Sequence, residues 1–212
     1  MVWALARKRR VTPLRPDFCC AGESGDHDSL RRRPHRGSAE ARARPGLVGI
    51  RWPAMRTRPE GGCACGTVRY RLLSEPLFVH CCHCLNCQRQ TGSAFVINLL
   101  IETERVEIRA GAPQPVDAPR DDGSVQRIFR CPRCQVAVFS EYSRPGVAFV
   151  RGGTLDDPTG VTPNVHIYTR SKVGWVALPD GAPAFDVYYD PRQLWPDESL
   201  LRLEAIRRQP SQ

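Results

Sequence analysis

Eight of the ten cysteines in this chain fall into three tight groups. They are Cys63-Ala64-Cys65, the run Cys81-Cys82-His83-Cys84-Leu85-Asn86-Cys87, and Cys131-Pro132-Arg133-Cys134. Thiolates two or three residues apart converge on one metal ion without sharp bending of the chain. The outer pairs, Cys63 with Cys65 and Cys131 with Cys134, supply four sulfurs for a closed tetrahedral zinc site, which is a structural role. The central Cys82, Cys84 and Cys87 supply three sulfurs and leave one position open. An open position is the mark of a zinc that does chemistry, and an external thiol held there loses its proton to become a nucleophile. The pattern thus predicts two zinc ions per chain, one structural and one catalytic. Three alternatives stay open at the level of residues: unrelated core cysteines, a second closed site with Cys81 or His83 as fourth ligand, and a redox Cys-x-x-Cys.

These groups need elements to position them. Thr67 to Leu72 alternates as a half-buried strand does, and Glu104 to Arg109 alternates again. Ala94 to Ile101, Val125 to Phe129, Val136 to Phe139, Val147 to Val150 and Val165 to Tyr168 read as further short strands between Gly and Pro turn signals. One helical turn is predicted at Leu85 to Gln90 and a C-terminal helix from about Asp197 to Arg208. The fold class is therefore all-β. The domain reading is a disordered Arg-rich leader over residues 1–54, a zinc-binding domain over residues 55–190, and a helical tail over residues 191–212.

The formal charge of +9 is unevenly placed. Residues 1–54 hold twelve Arg and Lys against five Asp and Glu, a net of +7, and the remainder carries nineteen against seventeen, a net of +2. The basic character thus belongs to the leader and argues against nucleic acid as the main partner of the cysteine domain. Met55 is the only methionine after Met1, so the leader also reads as a gene-model extension, with Cys19 and Cys20 outside the function. No apolar run is long enough for a membrane helix, and the first residues lack the order of a secretory signal. Those observations predict a cytoplasmic protein, where clustered cysteines are metal ligands rather than disulfides.

The residues Gly61-Gly62-Cys63-Ala64-Cys65-Gly66-Thr67-Val68-Arg69-Tyr70, then Cys82-His83-Cys84-x-x-Cys87 with Thr91-Gly92-Ser93, then Cys131-x-x-Cys134, resemble the glutathione-dependent formaldehyde-activating enzymes, a family that includes centromere protein V. Gly153 to Asp157, His166 to Tyr168 and Lys172 to Trp175 resemble it too. The resemblance implies a β-tent of short twisted antiparallel sheets pinned by zinc on Cys63, Cys65, Cys131 and Cys134, with a second zinc on Cys82, Cys84 and Cys87. It further implies a carbon–sulfur lyase acting on a thiol–aldehyde adduct of the S-hydroxymethylglutathione kind, with a glutathione-like thiol and an aldehyde as partners. The second reading is a non-enzymatic zinc-binding module whose basic leader contacts nucleic acid or protein. Two positions depart from the family pattern. Cys87 is followed by Gln88 rather than Arg, and Cys134 by Gln135 rather than Gly, which removes a residue suited to a tight knuckle.

Among other residues, Arg89 is a candidate for a substrate carboxylate, His83 a candidate support of the central site, and His166 a structural histidine. Trp175, Phe185 and Tyr188 are expected in the core or the wall of the site, and Asp156 and Asp157 in a turn.

Overall fold

The computed structural model describes residues 58–120, 123–142 and 146–208. The leader, with Cys19, Cys20 and Met55, lies outside them. The chain runs β1 (Glu60–Gly62), β2 (Arg69–Leu72), β3 (Phe78–Cys82), α1 (Leu85–Thr91), β4 (Val96–Glu102), β5 (Val106–Ala110), β6 (Gln114–Pro119), β7 (Val125–Arg130), β8 (Ala137–Glu141), β9 (Val147–Arg151), β10 (Val165–Ile167), β11 (Ala184–Phe185) and α2 (Asp197–Arg208). The expected all-β architecture is present. A three-stranded sheet, β1-β2-β5, faces an eight-stranded sheet of order β11-β10-β3-β4-β9-β8-β7-β6. Pairing is antiparallel except where β10 meets β3 and β11.

Each sheet face has its own core. On one side Val68, Tyr70 and Leu72 of the small sheet meet Val79, Leu99, Ile101 and Val150 of the large one. Each such buried side chain is worth about 1.5–3 kcal/mol. Gly61 is required at this junction, because a Cβ there would come within 2.5 Å of the Thr154 carbonyl and the Tyr70 hydroxyl. On the other side Phe78, Cys82, Val96, Leu100 and Ile167 pack with Tyr189, Trp195 and Leu203 from the C-terminal segment. Trp195 stacks on Phe78 with ring centres 5.2 Å apart. Arg202 of α2 grips the buried Glu102 carboxylate at the end of β4 through two hydrogen bonds, of 2.8 and 2.6 Å. Those contacts fix α2 over the second face, where the central cysteines lie.

The alternation expected over Glu104 to Arg109 is only partly a strand. Thr103–Arg105 forms a 3-10 turn, and β5 begins at Val106.

Candidate metal centres and the cavity above one of them

The outer cysteines meet as one group. The sulfurs of Cys63, Cys65, Cys131 and Cys134 all lie within 4.8 Å of one another. Cys63 and Cys65 are 3.5 Å apart, and Cys65 and Cys131 3.7 Å. A tetrahedron with metal–sulfur arms of about 2.3 Å has edges of about 3.8 Å, so the spacing suits a Cys₄ zinc. Backbone N–H groups of Val68 and Arg133 point at the Cys63 and Cys131 sulfurs at 3.2 and 3.4 Å. Such donors stabilise thiolate. Hydrogen bonding to Thr67 draws Cys65 down to about 6. The knuckle after Cys134 is closed by Gln135 at φ 61°, the left-handed region that glycine adopts without cost.

The sulfurs of Cys82, Cys84 and Cys87 form a second group within 4.8 Å of one another. Cys82 ends β3, while Cys84 is the N-cap of α1 and accepts from the Cys87 N–H at 3.3 Å. The cap geometry therefore brings two of the three sulfurs together. Gly92, at φ 63°, ends the helix with its N–H on the Gln88 carbonyl. Hydrogen bonds from Cys82 and Cys87 draw Cys84 down to about 3, while the Cys84 and Cys87 sulfurs, then burial, hold Cys82 well above the ordinary thiol range. Three close thiolates repel one another, and a divalent cation among them relieves that repulsion. The donor set suits zinc on chemical grounds.

Helix α1 is tied down by polar contacts that sequence reading missed. Gln126, fully buried on β7, donates to Ser140 at 3.0 Å and accepts from Gln90 at 2.9 Å and Asn86 at 3.4 Å. Gln88 donates to the backbone carbonyls of His83 and Ser171 at 2.7 and 2.9 Å. Gln88 thus braces the helix, whereas Arg89 lines the cavity.

Cys81 and His83 do not join the central trio. Alternation along β3 turns them to the opposite face, where His83 Nε2 lies 3.0 Å from His166 Nδ1 and 3.5 Å from the Cys81 sulfur. Those three also sit within ligand distance of one another. However, the imidazoles are within 23° of parallel with centres 5.3 Å apart, so the two nitrogens face each other head-on. That is the geometry of one shared proton, not of two lone pairs converging on an ion. Burial, then the neighbouring His166 and Lys172 charges, lower His83 to about 4, and burial lowers His166 also.

A cavity of about 1020 Å³ opens above the central trio. Its lining includes Cys82, Cys84 and Cys87, the aromatic residues Tyr142, Phe149 and Trp195, and His80 and Asn98. Register explains the last two: His80 pairs with Asn98 and Asn98 with Arg151 across β3, β4 and β9, on the face that carries Cys82. Burial pushes His80 down to about 3, so it is neutral, and raises Tyr142 and Tyr189 far above the tyrosine range. Arg151 is buried and hydrogen-bonds Asn98. The Cys82 hydrogen bond and the Arg151 charge draw Cys87 down, but the Cys84 sulfur and burial outweigh them and push it up to about 12. Tyr188 lines the cavity, as expected of a wall residue. Trp175 does not, being 79% exposed, and it corrects the expectation that placed it in core or wall. Asp156 sits beside β1 and pairs with Arg69.

The family of glutathione-dependent formaldehyde-activating enzymes matches residues 58–171. The chain belongs to that family. A Halomonas elongata protein, provisionally named a glutathione-dependent formaldehyde-activating enzyme, is 27% identical over 126 residues, which is 56% of this chain and 80% of the relative. A crystal structure of a Rhodobacter sphaeroides protein is similar at 21% identity and a TM-score of 0.37, over 49% of this chain and 91% of that one. That likeness is too loose to bear on the fold.

Proposed function

We propose that this chain is a zinc-dependent carbon–sulfur lyase that acts on a thiol–aldehyde adduct of the S-hydroxymethylglutathione kind. The observation that carries the reading is the contrast between the two cysteine groups. The four-sulfur group is a complete ligand set; the three-sulfur group is incomplete and lines a large cavity. Cys63, Cys65, Cys131 and Cys134 would hold a structural zinc, and Cys82, Cys84 and Cys87 a catalytic one. When bound to the trio, zinc supplies Lewis acidity and favours the thiolate form of an incoming sulfur.

The chain's own residues do the rest. Phe149, Tyr142 and Trp195 exclude water from the reacting carbon. Arg89 is placed to receive a substrate carboxylate, as glutathione offers. In the synthetic sense the thiolate pair forms the C–S bond, the C=O π pair moves to oxygen, and the thiol's proton ends on that oxygen through water. The lyase direction reverses each movement. Cysteines clustered at metal-ligand distance fit a reducing, cytoplasmic setting. Among the described residues no helix is long and apolar enough to cross a membrane.

The test combines exchange NMR with metal analysis on the full chain. Protein should speed exchange between glutathione plus formaldehyde and their adduct, and hold about two zinc per chain on the ligand count. Cys84→Ser should lose one zinc and the rate enhancement while staying folded, whereas Cys131→Ser should unfold. No enhancement by the zinc-loaded wild type, or equal unfolding by both variants, would refute the proposal.

A further inference from the structure

Three buried side chains in the cavity wall are linked by hydrogen bonds through their polar atoms. The Trp195 indole N–H donates to the Tyr189 hydroxyl at 2.7 Å, and that hydroxyl lies 2.8 Å from His80 Nε2. Trp195, Tyr189 and His80 are 5%, 7% and 1% exposed, and all three line the cavity that holds the central cysteines.

Counting protons shows what this chain offers. An indole N–H only donates, so the Tyr189 oxygen spends one lone pair on Trp195. One proton bridges Tyr189 and His80. If Tyr189 supplies it, neutral His80 carries its own proton on Nδ1. If His80 supplies it, the Tyr189 O–H is left over. In both arrangements at least one donor remains, and no hydrogen bond among the described residues uses it.

Position identifies the ligand atom. His80 precedes Cys82 by two residues on the same face of β3, a separation of roughly 6.6 Å along a strand. A sulfur–carbon–oxygen arm plus one hydrogen bond of about 2.8 Å covers that gap. Resting on the functional reading above, we propose that Trp195, Tyr189 and His80 together present a hydrogen-bond donor to the oxygen of the bound adduct. That oxygen gathers charge as the C–S bond forms and the π pair moves onto it. A fixed donor stabilises that charge.

Two ligands that differ only in this oxygen provide the test. S-methylglutathione lacks it, and S-hydroxymethylglutathione, formed in excess formaldehyde, has it. Calorimetry on the zinc-loaded full chain should show the wild type preferring the hydroxymethyl ligand by about fivefold, the worth of one such bond. The double variant His80→Phe/Tyr189→Phe keeps the aromatic packing, removes the donor in either arrangement, and should erase the preference while leaving S-methylglutathione affinity unchanged. Its kcat should fall by roughly a hundredfold with little change in KM. A merely structural role would move both affinities together. If the folded double variant retains both preference and kcat, the inference is overturned. If the wild type binds neither ligand, the functional reading falls and takes this inference with it.

Discussion

Replacing Gln126 by Leu tests whether the sheet positions the central cysteines through α1. Gln126 is fully buried, as is Ser140. Leucine fills similar volume but strands the Ser140 hydroxyl, a buried polar group that costs about 1–2 kcal/mol unpaired. Gln90 and Asn86 also lose their partner on the sheet. They stay bonded to each other at 3.2 Å and are only half-buried, so they add about 0.5 kcal/mol each. The sum is about 2–3 kcal/mol, which lowers Tm by roughly 5–10 °C in a domain of this size. All seven proposed ligands remain, yet Cys84 and Cys87 ride on the loosened helix. If about 1 kcal/mol of the loss is felt there, the central zinc binds roughly fivefold more weakly, and the four-cysteine zinc is unchanged. Thermal unfolding and chelator competition resolved into two zinc-release phases read both quantities. A fall in Tm with both release phases unaltered would refute the positioning argument, and an unchanged Tm would refute the energetic one.

Two further substitutions probe other parts of the frame. Gln135→Gly removes an L-residue from φ 61°, which saves about 1–2 kcal/mol. Glycine's extra freedom and the exposed bond from Gln135 to the Pro132 carbonyl return much of that, so a gain of about 0.5 kcal/mol in denaturant unfolding is expected, and a loss above about 1 kcal/mol contradicts the strain argument. Arg202→Met leaves the buried Glu102 with Arg105 alone at 3.3 Å and should cost about 3 kcal/mol at neutral pH. The wild-type pair also has a pH signature: burial raises Glu102, but Arg202's hydrogen bonds and charge outweigh it and the net shift is downward from 4.5. A lowered folded value means this stability is complete above the unfolded value of 4.5 and fades as pH falls through the folded one. Unfolding curves of wild type and variant should therefore converge below pH 4.5, and a constant gap would show that the carboxylate is not the source.

The local parts of this site were legible and the distant parts were not. Cys-x-Cys and Cys-x-x-Cys report shared direction over two or three residues, and such spacing survives into the fold. Strands with alternating burial, such as β2, showed in the pattern. β3 did not, because all five of its residues are buried and no polar face marks the period. β6 was hidden by Pro115 and Pro119, which a strand tolerates here because it is the edge of the sheet. His80, Gln126 and Trp195 take their roles from partners far along the chain; His80 and Tyr189 are separated by 109 positions. Trp175 is an aromatic that the fold leaves in solvent, since residue type sets a preference for burial and only packing decides it.

The two cysteine groups also differ in how much chain each one closes, and this bears on which can be spared for chemistry. An ion that ties Cys65 to Cys131 closes a loop of 66 residues. In the loop-closure account, such a link removes about 4 kcal/mol of unfolded-state entropy. The central trio spans only Cys82 to Cys87, and the same relation gives about 2 kcal/mol. The Cys84 N-cap, the Gln88 bonds and the Gln126 bonds already order that short segment, so an ion there adds less still. A site whose vacancy or ligand exchange costs the fold little is free to change its fourth partner in every turnover. A site that holds residue 65 to residue 131 is not, and its four sulfurs leave no position for a substrate.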